Sequence, residues 1–477
     1  MKRSLISAAA FILCLGNAGA KVVLPQIFSD GMVLQQNSEV RIWGHASGKT
    51  VTCTASWMET ALTAPVKDNC FEITLSTPDG SSEKREVTIS DSGSEVKLSD
   101  ILVGEVWICS GQSNMEMTVR GYTRQPIHGA MQTIAEAGRY SGKVRMFTVA
   151  RTESEKRKFS PKGSWADATP ETVMDMSATA WWFARTLADN TGVPVGIISA
   201  SRSASKIEAW MPESLLKEKF GYDTEKINSD TSIRGIHKCG LYYNGMLAPV
   251  SGYGARGFLW YQGESNCSNA ETYHLLMQGM VEDWRSRWND PEGKMPFIYV
   301  QIAPYSHNGS ADGFDAPKLV EAQLKALELI PNCAMVSTTD VGEKDCIHPS
   351  RKDVIGQRAA VEALRLAYGM KLPDAAGIRL RLESTAGNKA ILSYDNAGYG
   401  LLPADGPVLG FEVAGEDRVF HPAQAAVLAA KNRIMVSSPQ VDRPVAVRYA
   451  FHNFMESNLS NTLGYPAFPY RSDGWPL

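Results

Sequence analysis

Five short apolar segments constrain the fold of this chain more than anything else in it: Val106–Ser110, Val195–Ala200, Gly257–Tyr261, Phe297–Ala303 and Ala334–Thr338. Each is apolar along most of its length instead of alternating, the pattern of a strand buried on both faces of a sheet. Helical patterns lie between them. The clearest places Tyr273, Leu276, Met277, Met280, Val281, Trp284 and Trp288 on one stripe at three- and four-residue spacing. Others run from Ser177 to Asp189 and from about Lys352 to Tyr368. Strands alternating with helices predict a doubly wound parallel α/β sheet, whose functional groups gather at the carboxyl ends of the strands.

On either side the pattern changes. From Lys21 to about Asp100, short alternating segments (Val40–Trp43, Val51–Thr54, Phe71–Thr74, Val87–Ile89) are broken by Gly, Asp, Ser and Asn, which reads as a small β-sandwich. From about Leu372 the short strands return, with Ile378–Leu382 alternating strictly. At 477 residues the chain is too long for one ordinary core. The expected division is therefore 21–100 for an N-terminal β domain, 101–371 for the α/β domain and 372–477 for a C-terminal β region. Residues 1–20 read as a cleaved export signal: Lys2 and Arg3, an apolar run from Leu5 to Leu15, then Ala18-Gly19-Ala20. The expected location is periplasmic or secreted. A net charge of −3 gives no reason to expect a nucleic acid or an anionic membrane as partner. Seven cysteines follow the signal, an odd number, and Cys53 and Cys70 flank a predicted hairpin at a spacing that leaves their pairing open. No Cys-x-x-Cys or His-x-x-x-His pattern suggests a zinc site.

The first apolar strand runs into Ser110-Gly111-Gln112-Ser113-Asn114-Met115. A serine on a turn that opens a helix has free backbone N–H groups beside it, which can stabilise an oxyanion. Alone this is an ordinary Gly-Ser turn. Two further segments end at the same edge of the predicted sheet. Asp345-Cys346-Ile347-His348 follows the fifth strand, with a carboxylate spaced to hold one nitrogen of an imidazole whose other nitrogen faces a serine. Gln262-Gly263-Glu264-Ser265-Asn266 follows the third and offers side-chain amides as oxyanion donors. Gly111-Gln112-Ser113-Asn114-Met115 is not the Gly-x-Ser-x-Gly elbow of common α/β-hydrolases.

Together these blocks resemble the sialate O-acetylesterase family of SGNH-type carbohydrate esterases. The likeness extends through Phe28–Gln35, Leu241–Met246, Asp283-Trp284-Arg285, Val300–Ala303, Val447-Arg448-Tyr449 and Pro466–Pro469. It implies an SGNH (flavodoxin-like) catalytic domain flanked by β-sandwich-like regions. It also implies a serine esterase that acts on acetylated sialic acid or sialoglycans without a metal or organic cofactor. By position, Ser113 is the nucleophile, His348 the general base and Asp345 its orienting carboxylate. The Ser113 N–H and Gln262 side chain are the expected oxyanion donors, with Asn266 and Glu264 in the same block. In one place the chain departs from the family. Ser203-Ala204-Ser205 stands where Gly-Gly-Thr is usual; a backbone N–H of Ser203 or Ala204 could still serve the oxyanion, but their side chains narrow the pocket and restrict positive φ. Two alternatives remain: an acetylesterase for acetylxylan or another polysaccharide, and a carbohydrate-binding protein with an inactive esterase domain.

Overall fold

The computed structural model describes residues 21–372, 377–398, 400–428 and 433–477. The export signal expected at 1–20 lies outside them. The central layer is a mixed sheet of seven strands: β1 (Glu95–Gly111), β2 (Val144–Thr148), β3 (Trp165–Asp167), β4 (Val195–Ser201), β5 (Gly257–Tyr261), β6 (Phe297–Val300) and β7 (Cys333–Val336). Their spatial order is β7-β6-β5-β1-β4-β2-β3, parallel throughout except for the β2–β3 pair. From β1 the chain first builds outward through β2 and β4 and then crosses to build β5, β6 and β7 on the other side. The switch point, where open α/β sheets place their sites, is thus the carboxyl end of β1.

Five helices matter for the site: α1 (Ser113–Glu116), α2 (Ala178–Thr191), α3 (Ala270–Arg287), α4 (Asp315–Leu329) and α5 (Lys352–Tyr368). The apolar runs are buried on both faces, as expected from their composition. Val106, Ile108, Phe258, Trp260, Phe297 and Tyr299 pack with Tyr273, Leu276, Met277 and Leu319 of α3 and α4. Their neighbours Trp107, Cys109, Leu259, Tyr261, Ile298 and Val300 pack with Ala180, Trp181, Phe183, Ile355 and Ala359 of α2 and α5. One strand therefore feeds two cores through its two-residue period.

β1 is seventeen residues long and crosses the boundary expected between residues 100 and 101. Its first half pairs antiparallel with Ser81–Ser90 and its second half lies in the central sheet. The N-terminal strands share the core of the α3–α4 face, to which Val40, Ile42 and Phe71 also belong. Gln35 and Gln36 both donate to the buried Glu105 of β1, which is further held by Arg256. The block Phe28–Gln35 is thus a brace under β1. The C-terminal region carries two four-stranded antiparallel sheets and a core of its own. It docks on the catalytic layer through Arg471 with Glu321 of α4 and the Gly464 carbonyl with Arg358 of α5. All seven cysteines among the described residues are free; Cys53 is buried and Cys70 exposed, so the predicted hairpin is not cross-linked.

Candidate active site

β1 ends at Gly111 with a φ of +142° and passes so close to β5 that a Cβ there would lie 2.1 Å from the Tyr261 carbonyl oxygen. Only glycine fits this approach. The backbone then turns, and Gln112 caps the single turn α1, whose first residue is Ser113. Ser177 donates to the Met115 carbonyl (2.6 Å) and Thr179 to that of Asn114 (3.0 Å), fastening α1 to the start of α2. Ser113 is 7% exposed, and among the described residues none hydrogen-bonds its Oγ.

The three blocks meet at the residue after the serine. Asn114 is fully buried; its Nδ2 donates to Glu264 Oε1 (2.6 Å) and to the Ile347 carbonyl (3.1 Å), while its Oδ1 accepts from Lys352 Nζ (2.5 Å). One small side chain thus joins the serine turn, the Glu264 block and the residue preceding His348. Gln112 adds a second tie, its Oε1 accepting from the N–H groups of Gly263 (3.2 Å) and Ser265 (3.4 Å).

His348 stands over this junction with its ring edge-to-face against Tyr122, centroids 5.2 Å apart. The Tyr122 hydroxyl donates to the Ser113 carbonyl (3.3 Å) and lies 3.3 Å from Ser203 Oγ. Gln125 Oε1 lies 2.6 Å from His348 Nδ1. An amide oxygen only accepts, so Nδ1 carries the proton and Nε2 keeps its lone pair. Asp345, the carboxylate expected at that position, is exposed and makes no hydrogen bond to the imidazole among the described residues. Burial, and after it the nearby Lys352 ammonium, push His348 down to about 4, which keeps the ring neutral, with a free lone pair, at ordinary pH. Burial likewise lowers Lys352 to about 7 and raises Glu264, the two being separated by Asn114. The Lys352 ammonium also lies over the Tyr261 ring, 5.4 Å from its centroid.

The expected amide donors point elsewhere. Gln262 is fully buried; its Nε2 donates to the Ser205 carbonyl (3.0 Å) and to Asn266 Oδ1 (2.8 Å), and its Oε1 accepts from the Tyr273 hydroxyl (2.8 Å). Asn266 Oδ1 accepts from the Ile207 N–H (3.0 Å), and its Nδ2 donates to Glu208 (2.9 Å). Both amides are saturated and hold the Ser205–Ile207 segment in place. The Ser203 N–H is also occupied, donating to Glu116 Oε2 (2.9 Å), which accepts the Ser203 hydroxyl as well. Glu116 in turn is paired with Arg151 (2.6 Å). Among the described residues, the N–H groups of Ser113, at the start of α1, and of Ala204 find no acceptor. Ala204 sits at φ +60°, left-handed backbone where a side chain is strained.

A family model described as carbohydrate esterase, sialic acid-specific acetylesterase, matches residues 103–365. The chain belongs to this carbohydrate esterase family. Its curated relatives include the sialate O-acetylesterase of Homo sapiens, 29% identical over an alignment of 389 positions that covers 74% of this chain and 73% of the relative. That of Mus musculus is 28% identical over an alignment of 424 positions that covers 76% and 77% of the two chains. Among solved structures, a carbohydrate acetylesterase from Xanthomonas citri is 30% identical and superposes with a TM-score of 0.85, covering 95% of this chain and all of that one.

In this esterase the matched region runs from β1 to the end of α5 and holds every residue of the junction just described. Reading the sequence picked out Ser113, His348 and Glu264, which the fold brings together. It missed Gln125, Tyr122, Glu116 and Lys352. Asn114 and Gln112 stood in the serine block, and that was their only signal. Lys352 lies four residues after His348 at the start of a helix, where a lysine ordinarily faces water.

Proposed function

We propose that this esterase removes O-acetyl groups from sialic acids, the 9-O-acetyl ester in particular, by serine acyl transfer. Ser113 Oγ attacks the acetyl carbonyl while His348 Nε2 takes its proton. The Ser113 and Ala204 N–H groups receive the negative charge on the tetrahedral oxygen. His348 then protonates the departing sugar oxygen, leaving an acetyl group on Ser113. A water deprotonated by the same imidazole attacks the acetyl-enzyme, and acetate leaves with the serine reprotonated. Gln125 orients the ring by accepting from Nδ1. Gln262, Asn266 and Glu264 support the loops that carry these groups, and Glu116 holds Ser203. The observation that carries this reading is the Asn114 side chain, which joins the turn of Ser113 to the loop of His348.

Support for the sialate comes from the family description and the curated relatives. The Xanthomonas relative is described as a carbohydrate acetylesterase, a wider class that also contains the second reading, an acetylated polysaccharide as substrate. The three-layer sheet supports the SGNH assignment, with the flanking β regions as braces for it. Lys2, Arg3 and the apolar run behind them support export. No helix among the described residues is long and apolar enough to cross a membrane.

Acetate release from 9-O-acetyl-N-acetylneuraminic acid and from acetylxylan, each with the parent protein and Ser113→Ala, tests the proposal. Ser113→Ala is expected to fold normally and lose roughly 10³-fold or more in turnover. An unchanged rate would falsify the nucleophile, and release from acetylxylan alone would transfer the substrate to the second reading.

A further inference from the structure

Next to the Ser203–Ala204 turn the chain leaves a cavity of about 400 Å³, with Lys206, Glu208, Tyr222, Arg234 and His237 in its walls. Three of these are basic and near one another. Burial, then Lys206, then Arg234 lower the His237 imidazole, while the Ala204 carbonyl accepts from it. Among the described residues neither Lys206, half-buried, nor Arg234, exposed, makes an ion pair or a side-chain hydrogen bond. The one carboxylate in the wall is already occupied. Glu208 is buried, with Oε1 accepting from the Tyr222 hydroxyl (3.1 Å) and Asn269 Nδ2 (3.2 Å), and Oε2 from Asn266 Nδ2 (2.9 Å). The cavity thus offers cationic donors that no protein acceptor satisfies.

Its position relative to the nucleophile follows from the chain. Lys206 lies three residues past Ser203, at most about 10 Å of backbone. Ser203 Oγ is 3.3 Å from the Tyr122 hydroxyl, which itself reaches the Ser113 carbonyl. In a sialic acid acetylated at the tip of its glycerol arm, the ester and the carboxylate are separated by the length of the arm and the ring oxygen. A bound sugar with its acetyl group at Ser113 would therefore place its anion away from the reacting atoms. Lys206 and Arg234, in the wall of the cavity beside the Ser203–Ala204 turn, have no carboxylate partner among the described residues.

We propose that Lys206 and Arg234, with His237 beside them, form the subsite that binds the carboxylate of the acidic sugar. This rests on the sialate reading and explains it: a neutral acetylated polysaccharide has no group for these donors. Lysine and arginine donate to a carboxylate oxygen through charge-assisted hydrogen bonds, the stronger kind.

The test compares 9-O-acetyl-N-acetylneuraminic acid with its C1 methyl ester, which has nearly the same shape and no charge. Rates are referred to the concentration of Ser113 that reacts with a fluorophosphonate, so that only folded sites count. The parent protein is expected to favour the acid at least tenfold in kcat/KM at low ionic strength, with KM carrying the difference, and added salt should shrink it. In Lys206→Met/Arg234→Met the ratio should fall to about one. Should that double variant not label, Lys206→Gln alone is expected to lower the ratio severalfold. A parent that turns over acid and methyl ester equally overturns the subsite, as does a ratio that survives the substitutions. A parent that hydrolyses acetylxylan and neither sialate overturns the sialate reading, and the subsite with it.

Discussion

Replacing Lys352 with methionine separates the two influences on the imidazole at the centre of the site. His348 is held at about 4 instead of 6.5, first by burial and second by the Lys352 charge. Catalysis as proposed needs the neutral ring, so kcat/KM should be lost only as pH falls through about 4. Lys352, itself near 7, is charged throughout that range and acts on His348 there. Methionine has similar volume and leaves the imidazole buried, removing only the second influence. As the smaller of the two it accounts for less than half the displacement, so the acid limb should rise by at most about 1.2, to about pH 5.2. At pH 5 the active fraction would then drop from about 90% to as little as about 40% of its plateau. The assay is kcat/KM on an aryl acetate from pH 3.5 to 8.5, with circular dichroism at each pH to confirm folding. Methionine cannot donate to Asn114 and should lower the plateau as well, but the position of the limb reads the charge independently of that loss. Lys352→Arg keeps the charge and should keep the limb. A parent limb at the ordinary histidine value, or a Lys352→Met limb that stays put or moves down, would refute the reasoning.

Two other substitutions follow from the site. Gln125→Leu removes the acceptor at His348 Nδ1 and should cost roughly tenfold in kcat with little change in KM, whereas Asp345→Asn should stay within about threefold; the reverse order would restore Asp345 as the orienting group. Ala204→Gly relieves a side chain at φ +60° and should raise stability in urea by about 0.5–1 kcal/mol; a loss would mean that the methyl group packs usefully.

Much of the fold was legible because buried parallel strands advertise themselves. β5 and α5 have the bounds expected, and the expected N- and C-terminal strand segments all fall in or beside strands. Two elements escaped for identifiable reasons. β2 contains Arg145, whose guanidinium is 2% exposed because it donates to the Gly31 and Asp100 carbonyls and meets the Asp100 carboxylate. A charged residue inside a buried strand breaks the apolar run that would reveal it. In α4, Pro317 in the first turn reads as a break although that position tolerates proline. The boundary at residue 100 was drawn where composition changes, but β1 continues through it because each half finds a different partner strand.

The site was legible at the level of blocks and not of atoms, for a physical reason. Spacing tells which loops leave the same edge of a sheet; it does not tell where a side chain on such a loop points. Gln262 turns into the core because Tyr273, in the first turn of α3, supplies a donor for its oxygen. Lys352 turns inward because Asn114 supplies an acceptor and Tyr261 a ring face. These choices hang together. Burial disfavours the charged forms of both Lys352 and Glu264, and a single neutral amide meets both, donating to Glu264 and accepting from Lys352. The remaining Asn114 proton is then free for the Ile347 carbonyl, which sets the loop of His348. An aspartate carboxylate could not donate and a leucine could do neither, so asparagine beside the nucleophile is the residue that meets both buried groups while tying base to serine. Met115 stands where the Gly-x-Ser-x-Gly elbow has its second glycine, and here a side-chain bridge from the neighbouring Asn114 holds the serine turn.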